Sequence, residues 1–399
     1  MKRLPLISLL LSVFCASASE ATVYELPTDG SSVVGTDGHM KTVYKDTLLD
    51  IARRNSLGYY EIIRANPGVD MWLPGEGTDI MLPGRRILPP GPREGVVVNL
   101  PEHRLYYYPK PKRGEKPVVI TYPVSIGKMD WTTPIGETRV IQKEKHPVWN
   151  PPEGVRKEHL ANGDPLPPGP VKAGPDNPLG DFAMRLAAGN GTYLIHGTNN
   201  PMAVGMAITH GCIRMYPEDV AALFPLIPVG TKVWLVNDPV KVAFSDGELF
   251  MEVHPQVDDE GQNTATDPDL ELLSNRLDEA LGATTAAIHW DFAKQALQAA
   301  NGIPAVVGLQ ADMDPAEAEA AIKAEDEDKD KAATGGAPAA GSATESGSPA
   351  AGSAPPQSQS QPQEPPVTTL RPVTAPTDAP SATDAPPTAP LAEAGPQRP

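Results

Sequence analysis

Over residues 95–238, short β-branched and aromatic runs are separated by Gly and Pro, the pattern that sandwiches and barrels require. The runs are Val96-Val97-Val98-Asn99-Leu100, Arg104-Leu105-Tyr106-Tyr107-Tyr108, Val118-Val119-Ile120-Thr121-Tyr122-Pro123-Val124 and Lys232-Val233-Trp234-Leu235-Val236. A mainly β domain of sandwich or barrel-like form is expected there. Residues 148–178, crowded with Pro and Gly and lacking periodicity, read as a long loop, and loops of that length commonly act as lids or substrate-binding segments.

The flanks differ in kind. Residues 40–84 carry an extended Lys41-Thr42-Val43-Tyr44, then a helix in which Leu48, Ile51 and Ala52 share a face behind an Asp46 or Thr47 cap. A second helix with Tyr60, Ile63 and Arg64 stops at Ala65-Asn66-Pro67-Gly68, and Asp79-Ile80-Met81-Leu82-Pro83 closes a βααβ order. Residues 239–310 form a small α+β accessory region: strands at 240–244 and 248–253 meet at the hairpin signal Ser245-Asp246-Gly247, and helices are expected at 268–281 and 286–300. Nothing in that region looks catalytic, and His254 and His289 read as surface or packing histidines. Residues 311–399 are Ala, Pro, Ser, Thr and Gln with almost no large apolar side chains, so they cannot offset the entropy of ordering and are expected to be a disordered tail.

At the other end, Lys2 and Arg3, an apolar stretch over 4–14 and Ala16-Ser17-Ala18 read as a signal peptide at 1–18, with 19–39 a short N-terminal segment before the βααβ unit. The apolar stretch is shorter than the roughly 20 residues a spanning helix needs, and no later segment qualifies, so no transmembrane span is expected after cleavage. Acidic residues outnumber basic ones by 50 to 33, which argues against a nucleic-acid partner.

Cleavage near Ala18 removes Cys15 and leaves Cys212 as the one cysteine of the mature chain. An unpaired thiol in an oxidising compartment invites a chemical explanation, with a buried inert thiol as the plainer alternative. Around it stand Ile195-His196-Gly197-Thr198-Asn199 and Ala207-Ile208-Thr209-His210-Gly211-Cys212-Ile213-Arg214-Met215. A cysteine nucleophile needs its thiol pKa lowered by a nearby positive group, and His196, His210 and Arg214 are all at hand. Two His and a Cys are also metal-ligand types, but there is no HExxH pair, and the His210–Cys212 spacing follows no common zinc pattern, so neither a metal nor another cofactor is expected.

These residues resemble the catalytic motif of the L,D-transpeptidase family, the YkuD-type domain: a His-Gly segment followed by Ser or Thr, His, Gly, Cys, an apolar residue and Arg. The resemblance covers residues 95–238. It implies Cys212 as the acylated nucleophile, His196 as the base with its ring oriented by the Gly197 carbonyl, and an oxyanion site shaped by His210 and Gly211 with the Cys212 N–H as donor. Thr209 stands in the hydroxyl position, and Arg214 would hold the pocket or bind a substrate carboxylate.

The residues of 40–84 resemble a LysM module through Asp46-Thr47-Leu48 and Ala65-Asn66-Pro67, which implies a glycan-binding partner to the enzyme. The pairing is similar to periplasmic members from Gram-negative bacteria. The implied reaction acts on peptidoglycan tetrapeptide donor stems through a cysteine thioester. It yields diaminopimelate cross-links, attachment of an outer-membrane lipoprotein or, with water as acceptor, L,D-carboxypeptidase action. A peptidoglycan-binding scaffold with a decayed catalytic domain is the reading from another class.

Overall fold

The computed structural model describes residues 21–128, 133–257, 263–264, 270–282, 284 and 286–310, so the expected signal peptide and tail lie outside the described residues. Three short strands open the chain, β1 (Thr22–Glu25), β2 (Val33–Val34) and β3 (Gly38–Lys41). Helices α1 (Leu48–Arg54) and α2 (Tyr59–Ala65) follow, then β4 (Asp79–Leu82) and β5 (Arg86–Ile87). β3 and β4 pair antiparallel around the two helices, enclosing Leu48, Ile51, Ala52, Leu57, Ile62 and Ile80. Thr47 caps α1 by accepting from the Asp50 N–H at 3.1 Å, as its position before the apolar face requires. The opening strand lies earlier than expected: residues 42–44 are outside it, because the chain turns just after Thr42, where the Asp46 N–H donates to the Val43 carbonyl at 2.9 Å.

The central region builds one curled sheet with flanking helices. Its strands include β6 (Gly95–Asn99), β7 (Arg104–Tyr108), β8 (Val118–Pro123), β10 (Gly136–Lys145), β11 (Phe182–Leu186), β12 (Leu194–His196), β14 (Ile213–Arg214) and β15 (Lys232–Val236). With β1 they are ordered β1-β8-β7-β6-β15-β10-β11-β12-β14, while the short β9 (Ile126–Gly127) and β13 (Ala207–Thr209) pair separately. β6 and β7 read as unbroken apolar runs because both their faces are covered. Val96, Val98, Leu105 and Tyr107 enter the main core, and Val97, Tyr106 and Tyr108 enter a second core shared with Val34 and Leu88.

Two helices flank the half of the sheet that ends at β14: α3 (Glu153–Ala161) and α4 (Pro217–Leu226). α4 packs Val220, Leu223 and Phe224 onto the main core. α3 corrects the expectation that 148–178 lacks regular structure. Only Val155 of this helix is buried, so it leaves no apolar stripe for a periodicity reading to find.

Residues beyond Asp238 form a second sheet, with β16 (Val240–Ser245) and β17 (Glu248–Val253) turning at Asp246 and Gly247, both at positive φ. A short hairpin, β18 (Gln256–Val257) with β19 (Asn263–Thr264), precedes α5 (Leu270–Leu281). The expected helix at 286–300 divides: Ala286–Ile288 is a strand, β20, and the helix α6 runs Trp290–Ala299. β20 pairs with β21 (Ala305–Gln310), which no sequence signal had suggested, and β21 lies on β17. The long-range pairing overrides the helical preference of Ala286 and Ala287. No helix among the described residues is long and apolar enough to cross a membrane.

Candidate active site

β12 and β14 run parallel, with Ile195 opposite Ile213 and His196 opposite Arg214. Side chains alternate along a strand, and residues in register on neighbouring strands share a face. Ile195 and Ile213 are buried in the main core, so His196 and Arg214 stand on the opposite face, and Cys212, one residue before Ile213, is presented with them. The same face continues across β11 and β10: Arg185 pairs with Leu194 and Gln142, and Ala183 pairs with His196 and Glu144. A cleft over this face is lined by Gln142, Glu144, Val148, Leu179, Arg185 and Leu194. The long segment expected as a loop therefore supplies one of its walls, Val148, and Leu179 just beyond it supplies another.

The turn from β13 to β14 is fixed by its own polar groups. Thr209 Oγ1 donates to the Cys212 carbonyl at 2.5 Å, and the Gly211 carbonyl accepts from Thr133 Oγ1 at 3.0 Å. Gly211 has φ +95°, a conformation that a side chain would strain. On the neighbouring strand the His196 Nδ1 lies 2.6 Å from the Gly197 carbonyl. A carbonyl only accepts, so Nδ1 carries the proton and Nε2 is the basic nitrogen of the neutral ring. Space beside that carbonyl is tight: a Cβ on Gly180 (φ +64°) would stand 2.9 Å from the Thr198 nitrogen.

Burial lowers the His196 pKa to about 3, and the Arg214 charge adds to this, although hydrogen bonds to the Gly197 and Leu179 backbone act in the other direction. Burial pushes the Cys212 thiol up, against the Leu194 backbone hydrogen bond and the charges of Arg214 and Arg185. Both shifts favour the uncharged forms, a neutral thiol and a neutral imidazole. The two arginines supply the positive field, but burial outweighs it.

His210 is engaged elsewhere. Its Nε2 lies 2.6 Å from Glu158 Oε2 on α3, and Lys128 donates to the other oxygen of the same carboxylate. Lys128 is also tied to the turn, because its N–H donates to the Thr209 carbonyl at 2.9 Å. Arg214 forms no ion pair among the described residues, and its buried Nε has no hydrogen-bond partner there. The structure thus gathers Cys212, His196 and Arg214 on one face, uses Thr209 and Gly211 to shape the turn, sets Gly197 under the His196 ring and turns His210 to the overlying helix. Arg185, Glu158 and Lys128 were missed by sequence reading. Arg185 left one signal, a charge at an alternate position in Phe182-Ala183-Met184-Arg185-Leu186.

A grouping with metal-ligand atoms close together occurs away from this face, at Glu102, Glu252 and His254. Lys241 Nζ lies 3.0 Å from Glu102 and 2.7 Å from Glu252, so an ammonium already neutralises those carboxylates.

Comparison with known proteins joins this geometry to a family. Residues 93–235 match the family model described as the L,D-transpeptidase catalytic domain, YkuD. Probable L,D-transpeptidase YcfS of Escherichia coli strain K12 is 38% identical over 285 residues, spanning 70% of this chain and 86% of that one. This chain belongs to the L,D-transpeptidase family. Probable L,D-transpeptidase YbiS of the same strain is 41% identical over 245 residues, 60% of this chain and 77% of its own. The solved structure of L,D-transpeptidase 3 from Mycobacterium tuberculosis matches 41% of this chain and 76% of that chain, at 19% identity and a TM-score of 0.25. The matched L,D-transpeptidase region contains the whole face built by β10, β11, β12 and β14 and ends within β15.

Proposed function

We propose that this protein is a periplasmic L,D-transpeptidase that acts on tetrapeptide stems of peptidoglycan through a thioester at Cys212. The observation that carries the reading is the shared face of Cys212, His196 and Arg214, held in place by Ile195 and Ile213 in the core behind it. His196 Nε2 takes the thiol proton as the sulfur attacks the carbonyl carbon of the L-centre of diaminopimelate. The Cys212 N–H, at the turn Gly211 permits, is placed to donate to the developing oxyanion. The C–N bond to the terminal D-alanine then breaks, and the imidazolium returns its proton to the departing amine. An acceptor amine attacks the thioester, the C–S bond breaks and the thiol is restored. A second diaminopimelate amine gives a cross-link, a lipoprotein lysine gives an anchor, and water gives carboxypeptidase action.

The remaining roles follow from the contacts. Arg214, with no carboxylate partner among the described residues, is suited to a substrate carboxylate beside the reacting carbon. His210, occupied by Glu158, buttresses the turn and takes no part in proton transfer. Residues 40–84 are read as a LysM-like module that holds glycan strands. Their βααβ order and the exposed Trp72 and Leu73 support this.

Incubation with tetrapeptide-rich sacculi, followed by intact-mass and muropeptide analysis with and without a lipoprotein acceptor, tests the reading. Loss of D-alanine and a thioester mass on the wild type are expected, and the products identify the acceptor. Cys212→Ala should abolish transfer, with glycan binding retained. A carbapenem should add covalently to the wild type alone; the same adduct on Cys212→Ala would overturn the assignment. Glycan binding without thioester or D-alanine release would instead support the scaffold reading.

A further inference from the structure

The cleft beside Cys212 carries two opposite charges that the reaction steps leave unused. Arg185 on β11 sits in the row Gln142, Arg185, Leu194, and the Leu194 N–H that ends this row donates to the Cys212 sulfur. Arg185 spends one donor on the Gly191 carbonyl and has others left. Glu144 on β10 is its diagonal neighbour, since Gln142 faces Arg185 and Glu144 faces Ala183. Diagonal positions on adjacent strands lie about 7–8 Å apart, within reach of long side chains. Yet no ion pair joins the two among the described residues, and Glu144 makes no side-chain hydrogen bond there. Both groups are half-buried and line the same cleft.

A guanidinium with spare donors and an unpaired carboxylate, held a side-chain length apart, complement a carboxylate and an ammonium on one carbon. We propose that the Glu144–Arg185 end of the cleft binds the amino-acid end of the donor's branched residue, carboxylate to Arg185 and ammonium to Glu144. This rests on the proposed function, in which diaminopimelate supplies that zwitterion at its D-centre. The reach is consistent. Arg185 stands two strands from β14, roughly 9–10 Å at sheet spacing. The D-centre lies five carbon–carbon bonds from the attacked carbonyl, about 6 Å when extended, and the arginine side chain spans the remainder. Arg214, by contrast, stands beside Cys212 itself, so the two arginines serve different parts of the donor.

The specificity ratio tests this with three soluble tetrapeptide donors: one with diaminopimelate, one with the D-centre carboxyl amidated and one with lysine in its place. Charge-assisted hydrogen bonds in such a setting contribute enough for about tenfold or more in kcat/KM. Wild type should therefore favour the diaminopimelate donor by that factor, and Arg185→Gln should bring all three donors close to parity. Glu144→Gln should likewise abolish discrimination against a fourth donor, whose D-centre amine is acetylated. If Arg185 serves only the sulfur, its loss slows all donors in parallel and the ratio stands; that outcome overturns the subsite. Equal use of all donors by the wild type also overturns it, while leaving the thioester reading intact. Absence of a thioester with every donor defeats the underlying reading and the subsite with it.

Discussion

Asp219 lies in the first turn of α4, buried, with no hydrogen bond to either carboxylate oxygen among the described residues, and burial raises its pKa to about 7. Its folded pKa exceeds the unfolded value, so the folded state holds a proton that the unfolded state has released, and stability falls as pH rises from about 4 to about 7. His196 and His103 act oppositely. Burial lowers both to about 3, so their contribution is lost as pH falls below the ordinary imidazole value toward 3. Subtracting the wild-type curve from that of Asp219→Asn isolates the carboxyl: the variant should gain up to a few kcal/mol in urea denaturation at pH 8 relative to its difference at pH 4. A pH-independent difference would refute the assignment. Cys212 gives a second check, because its raised pKa predicts that alkylation by iodoacetamide keeps climbing past the ordinary thiol range. A plateau at neutral pH would indicate a preformed thiolate. Cys212 and His196 were legible in the sequence because residue type and flanking glycines mark them. Arg185 is not, since its role depends on register with Leu194 and Gln142, and the pairing register of strands distant in sequence is not written in any one of them.

Among elements, α3 and β10 were the least legible for one reason: neither presents an apolar period. β10 contributes only Val140 to the core, and a register shift between Val140 and Gln142 breaks its alternation. The strands from β6 to β8, covered on both faces, were read almost to their ends. α3 nevertheless has a definite task, since Glu158 joins it to His210 in the turn between β13 and β14 and to Lys128 just after β9. Those hydrogen bonds lower the Glu158 pKa to about 2, with Lys128 the larger influence and His210 next. Glu158→Gln should weaken this latch by about 1 kcal/mol, given its partial exposure. Faster amide exchange across 153–161 and a lower kcat/KM for soluble donors are expected, with the thioester still formed. Unchanged exchange would mean that α3 is held by other contacts.

At the scale of the whole described molecule, buried ion pairs connect what the sequence presented as separate regions. Glu61 of α2 accepts from Arg86 and Arg104, both pairs at 2.7 Å, and Arg104 also donates to the Ser56 carbonyl. Burial alone would raise the Glu61 pKa, but the charges of Arg104 and Arg86 outweigh it and hold it at about 2. Its contribution is therefore present above the ordinary glutamate value and lost as pH falls toward 2. Glu61→Gln leaves two buried guanidinium groups undercompensated and should cost about 3–5 kcal/mol, read as a lower Tm. A loss under 1 kcal/mol would show that the pairs add little. A similar knot ties the second sheet to the first. Lys241 of β16 donates to the Ile87 carbonyl at 2.6 Å while neutralising Glu102 and Glu252, and Glu252 accepts the Ile87 N–H. The domain end expected at Asp238 invites an expression boundary there. A fragment ending at that point would keep every catalytic candidate yet strip Glu102 of the Lys241 ammonium and Ile87 of the Lys241 and Glu252 bonds that satisfy its backbone. For protein production, the shortest sensible transpeptidase fragment therefore extends through β21.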